Sequence, residues 1–115
     1  MNYNKAELCK DCKMPVEKRK WPRLGRVVMT RGIKAKIEAE WGRARKFNDA
    51  IRRALGQYKR GNWGKTDRQG AKMNDEAAED GESRILAVYP TVEGDIWIIT
   101  ERDRSATTIL FPNEY

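Results

Sequence analysis

The chain is predicted to fold as an α+β domain: a short N-terminal strand, two to three helices and a C-terminal three-stranded antiparallel meander, with the helices on one face of the sheet. Three observations lead there. Arg84–Tyr115 holds three apolar, β-branched and aromatic runs separated by turn-forming residues. Upstream of it, Ile33, Ile37 and Trp41, then Phe47, Ile51, Leu55 and Tyr58, recur at helical spacing. Before those lies one short extended apolar run, Leu24–Thr30.

The strand candidate Leu24–Thr30 ends at Arg31-Gly32. A helix starting near Gly32 would carry Ile33, Ile37 and Trp41 on one face, with Gly42 and the cluster Arg43–Lys46 breaking or bending it. The next stripe runs from Phe47 to Tyr58. Gly61 is placed to stop that helix, and Lys59 and Arg60 stand in its last turn, where cations suit the helix dipole. Trp63-Gly64 opens a connector. Asp67 is positioned to cap a third helix running to about Asp80, with Met73 and Ala77 expected on its buried side. In the meander, Glu93-Gly94 marks the first turn and Asp103-Arg104-Ser105 the second.

The 115 residues amount to one domain's worth of chain, divided into a basic N-terminal extension, 1–23, and a single domain, 24–115. The extension is polar, holds Pro15 and Pro22, and carries Glu17-Lys18-Arg19-Lys20 ahead of Trp21. No apolar run approaches the roughly 20 residues that span a bilayer. No signal-peptide core is visible either, so the expected location is the cytoplasm of a host bacterium.

Charge is unevenly distributed. Residues 1–66 carry 19 Lys and Arg against 6 Asp and Glu, a net of +13. Residues 67–115 carry 5 against 11, a net of −6. A sequence pI near 9.6, with the positive charge gathered at one end, points to a polyanionic partner. The residues expected to meet nucleic acid or a protein partner are Arg45, Lys46, Arg52, Arg53, Lys59, Arg60, Lys65 and Arg104. Phosphate contacts of this kind position a protein without reading sequence. Tyr58 and Trp63 have the chemistry to stack on bases, but a Trp beside a Gly turn is more often core, and that reading is preferred.

Catalytic chemistry is poorly provided for. The chain has no histidine, which removes the commonest general base and the Ser-His and Cys-His nucleophile systems. No catalytic residue and no cofactor are assigned. Glu101 and Asp103 would share a face of an extended strand, as a metal or acid/base pair would, yet a salt-bridged turn accounts for them better. Cys9 and Cys12 have the spacing of two thiolates on one zinc. A structural zinc wants four ligands, so the pair is at most a half-site that a second copy of the chain would complete. A redox role wants the pair at a helix N-terminus after a strand, and this context lacks both.

Two blocks carry a family resemblance. Trp63-Gly64, Asp67, Asn74-Asp75-Glu76-Ala77, Gly81 and Arg84-Ile85-Leu86 resemble a small family common on plasmids, prophages and other mobile elements. The ending Trp97-Ile-Ile-Thr-Glu-Arg-Asp-Arg-Ser-Ala-Thr-Thr-Ile-Leu-Phe-Pro-Asn-Glu-Tyr115 is very similar to that family's C-terminus, and Leu24-Gly25-Arg26-Val27-Val28 to its start. Where family members are usually acidic, this chain has Lys65, Arg68 and Lys72, and residues 1–23 have no counterpart. The order of elements is also similar to RelE/ParE-type toxins, small basic ribonucleases or gyrase poisons.

These resemblances imply a mobile-element accessory protein. The leading expectation is a non-enzymatic inhibitor that docks on a host nucleic-acid machine or nucleoprotein, in an anti-CRISPR or similar anti-defence role. The alternatives are a RelE-like endoribonuclease using Arg52, Arg53, Arg84, Arg104 and Tyr89 around phosphate, and a small DNA-binding regulator.

Overall fold

The computed structural model describes residues 23–39 and 41–115. In order they form β1 (Arg26–Met29), α1 (Arg31–Ile37), α2 (Trp41–Lys59), α3 (Arg68–Asp80), β2 (Ile85–Thr91), β3 (Gly94–Thr100) and β4 (Ala106–Leu110). A 3-10 turn over Pro112–Glu114 follows. Cys9, Cys12, the basic run ending at Lys20, and Trp21 lie outside the described residues, as does all but Arg23 of the 1–23 extension. No helix among the described residues is long and apolar enough to cross a membrane.

The fold is α+β, and the meander forms as predicted. β2, β3 and β4 pair antiparallel in succession. β1 joins as a fourth strand, parallel to β4, giving the order β1-β4-β3-β2. The register aligns Ala87 with Ile98 and Ile98 with Ile109. Because side chains alternate, Ile85, Ala87, Tyr89, Ile96, Ile98 and Ile109 then share one face. They form the core with Ile33 of α1, Phe47, Ile51, Ala54 and Tyr58 of α2, Trp63 of the connector and Ala77 of α3.

Two helical details differ from the sequence expectation. Ile33 and Ile37 belong to α1, but Trp41 opens α2, so the helix is interrupted after Ile37, ahead of Gly42. The two stripes are faces of two helices that pack together. In α3, Met73 is 60% exposed, whereas Ala77 and Asn74 are buried. The buried strip of α3 therefore runs through a polar residue, because Asn74 has backbone to bind on β2.

Helix ends follow the sequence. α2 stops where Gly61 takes a positive φ of 78°. The Gly61 amide donates to the Tyr58 carbonyl (3.1 Å) and the Asn62 amide to Gln57 (2.9 Å), the paired bonds of a Schellman motif. Asp67 caps α3 by accepting from the Gly70 amide at 2.7 Å. α1 lacks a cap from its own Thr30 and takes one from the far end of the chain. Glu114 accepts from the Gly32 amide (2.9 Å), the Thr30 hydroxyl (2.6 Å) and the Phe111 amide (2.9 Å). Those donors hold its carboxyl below the usual carboxylate range, Thr30 foremost.

Behind the core runs a buried chain of hydroxyls. Thr107 donates to the Leu24 carbonyl at 2.7 Å, which leaves its oxygen to accept from Thr100 at 2.8 Å. Thr100 must then accept from the Tyr58 phenol at 2.6 Å. The proton direction is thus fixed along α2, β3, β4 and the approach to β1. Burial pushes the Tyr58 phenol up to about 12.

Candidate polyanion-contact surface

Most of the predicted contact residues lie on α2. With 3.6 residues per turn, Arg45, Arg52 and Lys59 fall in one row at spacing i, i+7, i+14. Lys46 and Arg53 fall in a second row beside it, which Arg60 continues in the turn just past the helix. The first row is about 21 Å long at 1.5 Å per residue. All six are exposed, on the side of α2 away from buried Phe47, Ala54 and Tyr58. Between the rows stand only Asp49 and Gly56. Among the described residues, Lys46, Arg52, Arg53, Lys59 and Arg60 have no carboxylate partner. Their charges add along the helix face, offset only by Asp49 between the rows.

The second row borders a cleft between α2 and the far end of β2. Lys46, Asp49, Ala50 and Arg53 face Pro90, Thr91 and Val92 across a volume of about 450 Å³. A neighbouring hollow of about 320 Å³ shares Ala50, Arg53 and Pro90, and is closed by Gln57, Gly64 and Lys65. Lys46 and Arg53 of α2 and Lys65 of the connector are thereby brought along neighbouring hollows. Lys65 is held there by Asp95, with its ammonium 2.9 and 3.0 Å from the carboxylate oxygens. An anion in the groove would meet Lys46 and Arg53 beside the Asp49 carboxylate, and Lys65 already paired with Asp95.

Other basic residues serve the framework. Arg43, at the start of α2, binds the Glu93 carboxylate and the Val92 carbonyl (2.9 Å), with Lys36 3.6 Å from the same carboxylate. Arg43 foremost, with Lys36, holds the Glu93 carboxyl low. This contact clamps the β2–β3 turn to α1 and α2. Arg104 differs from the other predicted contact residues. Its guanidinium donates to the carbonyls of Ser83 (2.6 Å), Ala77 (2.8 Å), Glu101 (3.2 Å) and Arg102 (3.4 Å). It ties the β3–β4 turn to the end of α3, and it is the one non-glycine among the described residues with positive φ, 62°.

The residues named for a nucleolytic centre fall in two places: Arg53 and Tyr89 line one hollow beside α2, and Arg104 reaches the Ser83 carbonyl next to Arg84. Arg52 and Arg53 stand on α2, Arg84 lies over the Tyr115 ring (5.5 Å to its centre), and Arg104 is engaged as above. Tyr89 is buried and donates its hydroxyl to the Asn62 carbonyl at 2.7 Å. Glu101 and Asp103 sit in the turn after β3: Arg104 donates its amide to the Glu101 carbonyl, and Asp103 accepts the Ser105 amide at 2.9 Å. The Ser105 side chain foremost, with its amide, keeps the Asp103 carboxyl low. With Glu82, Arg102 and Ser105 they rim an open hollow of about 530 Å³. Among the described residues no group of three or more His, Cys, Asp or Glu could hold a metal ion.

Trp63 is core: it is buried, meets Tyr58 edge-on with ring centres 5.4 Å apart, and donates its indole N–H to Asp75 at 2.8 Å. Tyr58 is fully buried, so neither ring is presented for base stacking. Sequence reading missed the pairing of Lys65 with Asp95 and the groove between α2 and Pro90. Neither has a local signal, because both depend on which residues β2 places beside α2. Comparison with protein families, curated proteins and solved structures finds no match to this chain.

Proposed function

We propose that this chain is a non-enzymatic accessory protein of a phage or other mobile element, docking on a host nucleic-acid machine through the cationic face of α2. Its effect is inhibition, in an anti-CRISPR or similar anti-defence role. The observation that carries this reading is the double row Arg45/Arg52/Lys59 and Lys46/Arg53, continued by Arg60, on one exposed helix face. Spaced cations along about 21 Å suit the phosphates of a nucleic acid held by the machine, and contacts to phosphate carry no sequence requirement. Asp49 and Gly56 between the rows offer little for reading base edges. The mobile-element assignment rests on the resemblance of residues 24–115 described above.

Pull-down of the tagged chain from host lysate, with and without nuclease, tests the proposal when run beside Lys46→Ala/Arg53→Ala/Arg60→Ala. Supporting it would be one nucleic-acid enzyme or nucleoprotein retained by the wild type, lost by the variant and inhibited by the purified protein. Recovery of the same set by both proteins contradicts it. Cleavage of RNA by the purified chain would replace it with the toxin reading.

A further inference from the structure

The angle between the two rows of cations on α2 limits the kind of nucleic acid this helix fits. Arg45 and Lys46, like Arg52 and Arg53, are consecutive residues, so the rows stand about 100° apart around the axis. With a side-chain envelope about 10–12 Å across, that angle separates them by about 8–9 Å at the helix surface. The buried stripe through Phe47, Ala54 and Tyr58 lies opposite the line between the rows, so the rows flank the most exposed part of the helix. That line holds Asp49 and Gly56, and Gly42 extends it toward the start of α2.

A hollow lies along each flank of this ridge. The cleft of about 450 Å³ toward Pro90, Thr91 and Val92 runs beside Lys46 and Arg53. On the opposite flank, a hollow of about 380 Å³ separates Ala44, Arg45 and Asn48 from Ile37, Glu38 and Ala39. Each hollow also holds a carboxylate, Asp49 or Glu38, so the attraction comes from the rows and the hollows supply room. α2 is thus a ridge with space for a phosphate backbone on either side.

We infer that the polyanion this face takes is duplex DNA, with α2 lying in the major groove and one row of cations on each strand. The inference deepens the reading of α2 as the contact face and rests on it. A major groove about 12 Å wide and 8.5 Å deep admits a helix, and Lys and Arg side chains splayed to either side reach the phosphates that wall it. The minor groove, about 6 Å wide, is too narrow for a helix. The major groove of an RNA duplex is deep and narrow, and closed to side chains.

Asp49 separates this arrangement from contact with a single strand. A strand laid along the line between the rows would bring its phosphates against that carboxylate. In the groove, Asp49 faces base edges instead, where the amino groups of cytosine and adenine are donors, and the phosphates lie to the sides. One such residue reads little sequence, in keeping with phosphate contacts that position without specifying.

Fluorescence anisotropy at low salt tests this with a DNA duplex, its separated strands and the RNA duplex of the same sequence. The DNA duplex is expected to bind roughly tenfold more tightly than the others, since it alone engages both rows without meeting Asp49. In a salt series, Arg52→Ala/Lys59→Ala and Lys46→Ala/Arg53→Ala are each expected to lose about 1.8 from the duplex slope, two phosphates at about 0.9 apiece. Both variants change only exposed side chains. DNA whose cytosines carry glucosylated hydroxymethyl groups, which fill the major groove, is expected to lose the advantage of the duplex. Netropsin, which fills the minor groove, is expected to leave binding unchanged. Equal or tighter binding of a single strand or of duplex RNA overturns the groove assignment and leaves α2 as the contact face. So does a slope lowered by one variant alone, undiminished binding of the glucosylated duplex, or displacement by netropsin. Failure to bind any of these nucleic acids overturns both readings.

Discussion

The Asn74 side chain lies against the peptide of Leu86 as a neighbouring strand would, giving a donor to the carbonyl at 2.8 Å and an acceptor to the amide at 3.3 Å. A helix residue thereby completes the edge of the sheet. Asn74→Ala leaves both groups of Leu86 unpaired beneath α3, and each unmade buried bond costs about 1–3 kcal/mol. Urea denaturation should therefore place Asn74→Ala at least 1 kcal/mol below the wild type, by about that estimate. Asn74→Asp should fall as well, because it keeps the acceptor and loses the donor.

Gly64 sits between the end of α2 and β2. A Cβ there would stand 2.4 Å from the Tyr89 ring and 2.5 Å from the Val88 carbonyl, and its φ is +62°. Both the space and the backbone conformation require glycine. Gly64→Ala should cost more than about 2 kcal/mol, as expected of overpacking combined with an unfavourable φ. Thermal unfolding measures this. An unchanged midpoint would mean that the connector readily shifts away from Tyr89.

Much of the fold was legible because the residues that punctuate it act locally. Gly61 ends α2, Asp67 caps α3, and Glu93-Gly94 turns the hairpin by short-range geometry visible in the sequence. Long-range choices were not visible. Nothing in Arg26–Met29 announces a parallel partner in Ala106–Leu110, and nothing in Glu114 announces a cap for α1. Met73 looked like the buried residue of α3 because it is apolar, but the bare edge of β2 needed Asn74 instead.

The site divides along the same line. The α2 cations were legible as charge at helical spacing, whereas the use of Arg104 on four carbonyls and of Lys65 on Asp95 depends on packing. Of the residues on which the resemblance is read, Trp63, Gly64, Asp67, Asn74, Asp75, Arg104 and Glu114 bind or pack against the fold's own backbone or side chains. They describe the scaffold, while the proposed contact surface lies largely on residues outside both motifs.

Glu114 makes stability depend on pH on the acid side. Its native pKa lies below the ordinary 4.5, so its contribution is complete above that value and is lost as pH falls through the native one. Glu114→Gln should lower stability at neutral pH by about 1 kcal/mol or less, since solvent screens the carboxylate. It should also flatten the acid limb of the stability curve. The check is denaturant unfolding of both proteins between neutral pH and pH values below the native pKa.

Tyr58 acts at the other end of the scale. The unfolded phenol ionises near 10 and the native one near 12, so the unfolded state loses its proton first as pH rises. The stability this group confers is complete below 10 and declines between 10 and 12. Tyr58→Phe should remove that component of the alkaline decline. At neutral pH it should cost about 1–2 kcal/mol, because Thr100 loses the Tyr58 hydroxyl as donor within a buried chain.

The most direct test of the proposed contact surface is the salt dependence of nucleic-acid binding, measured by fluorescence anisotropy with duplex DNA and single-stranded RNA in parallel. Each phosphate neutralised on a duplex contributes about 0.9 to the slope of log K against log salt, and about 0.7 on a single strand. If α2 holds the backbone, Lys46→Ala/Arg53→Ala/Arg60→Ala should bind more weakly and lose roughly two to three from the wild-type slope. An unchanged slope and affinity, or no binding by the wild type to either nucleic acid at low salt, would contradict the assignment of phosphate contact to this face.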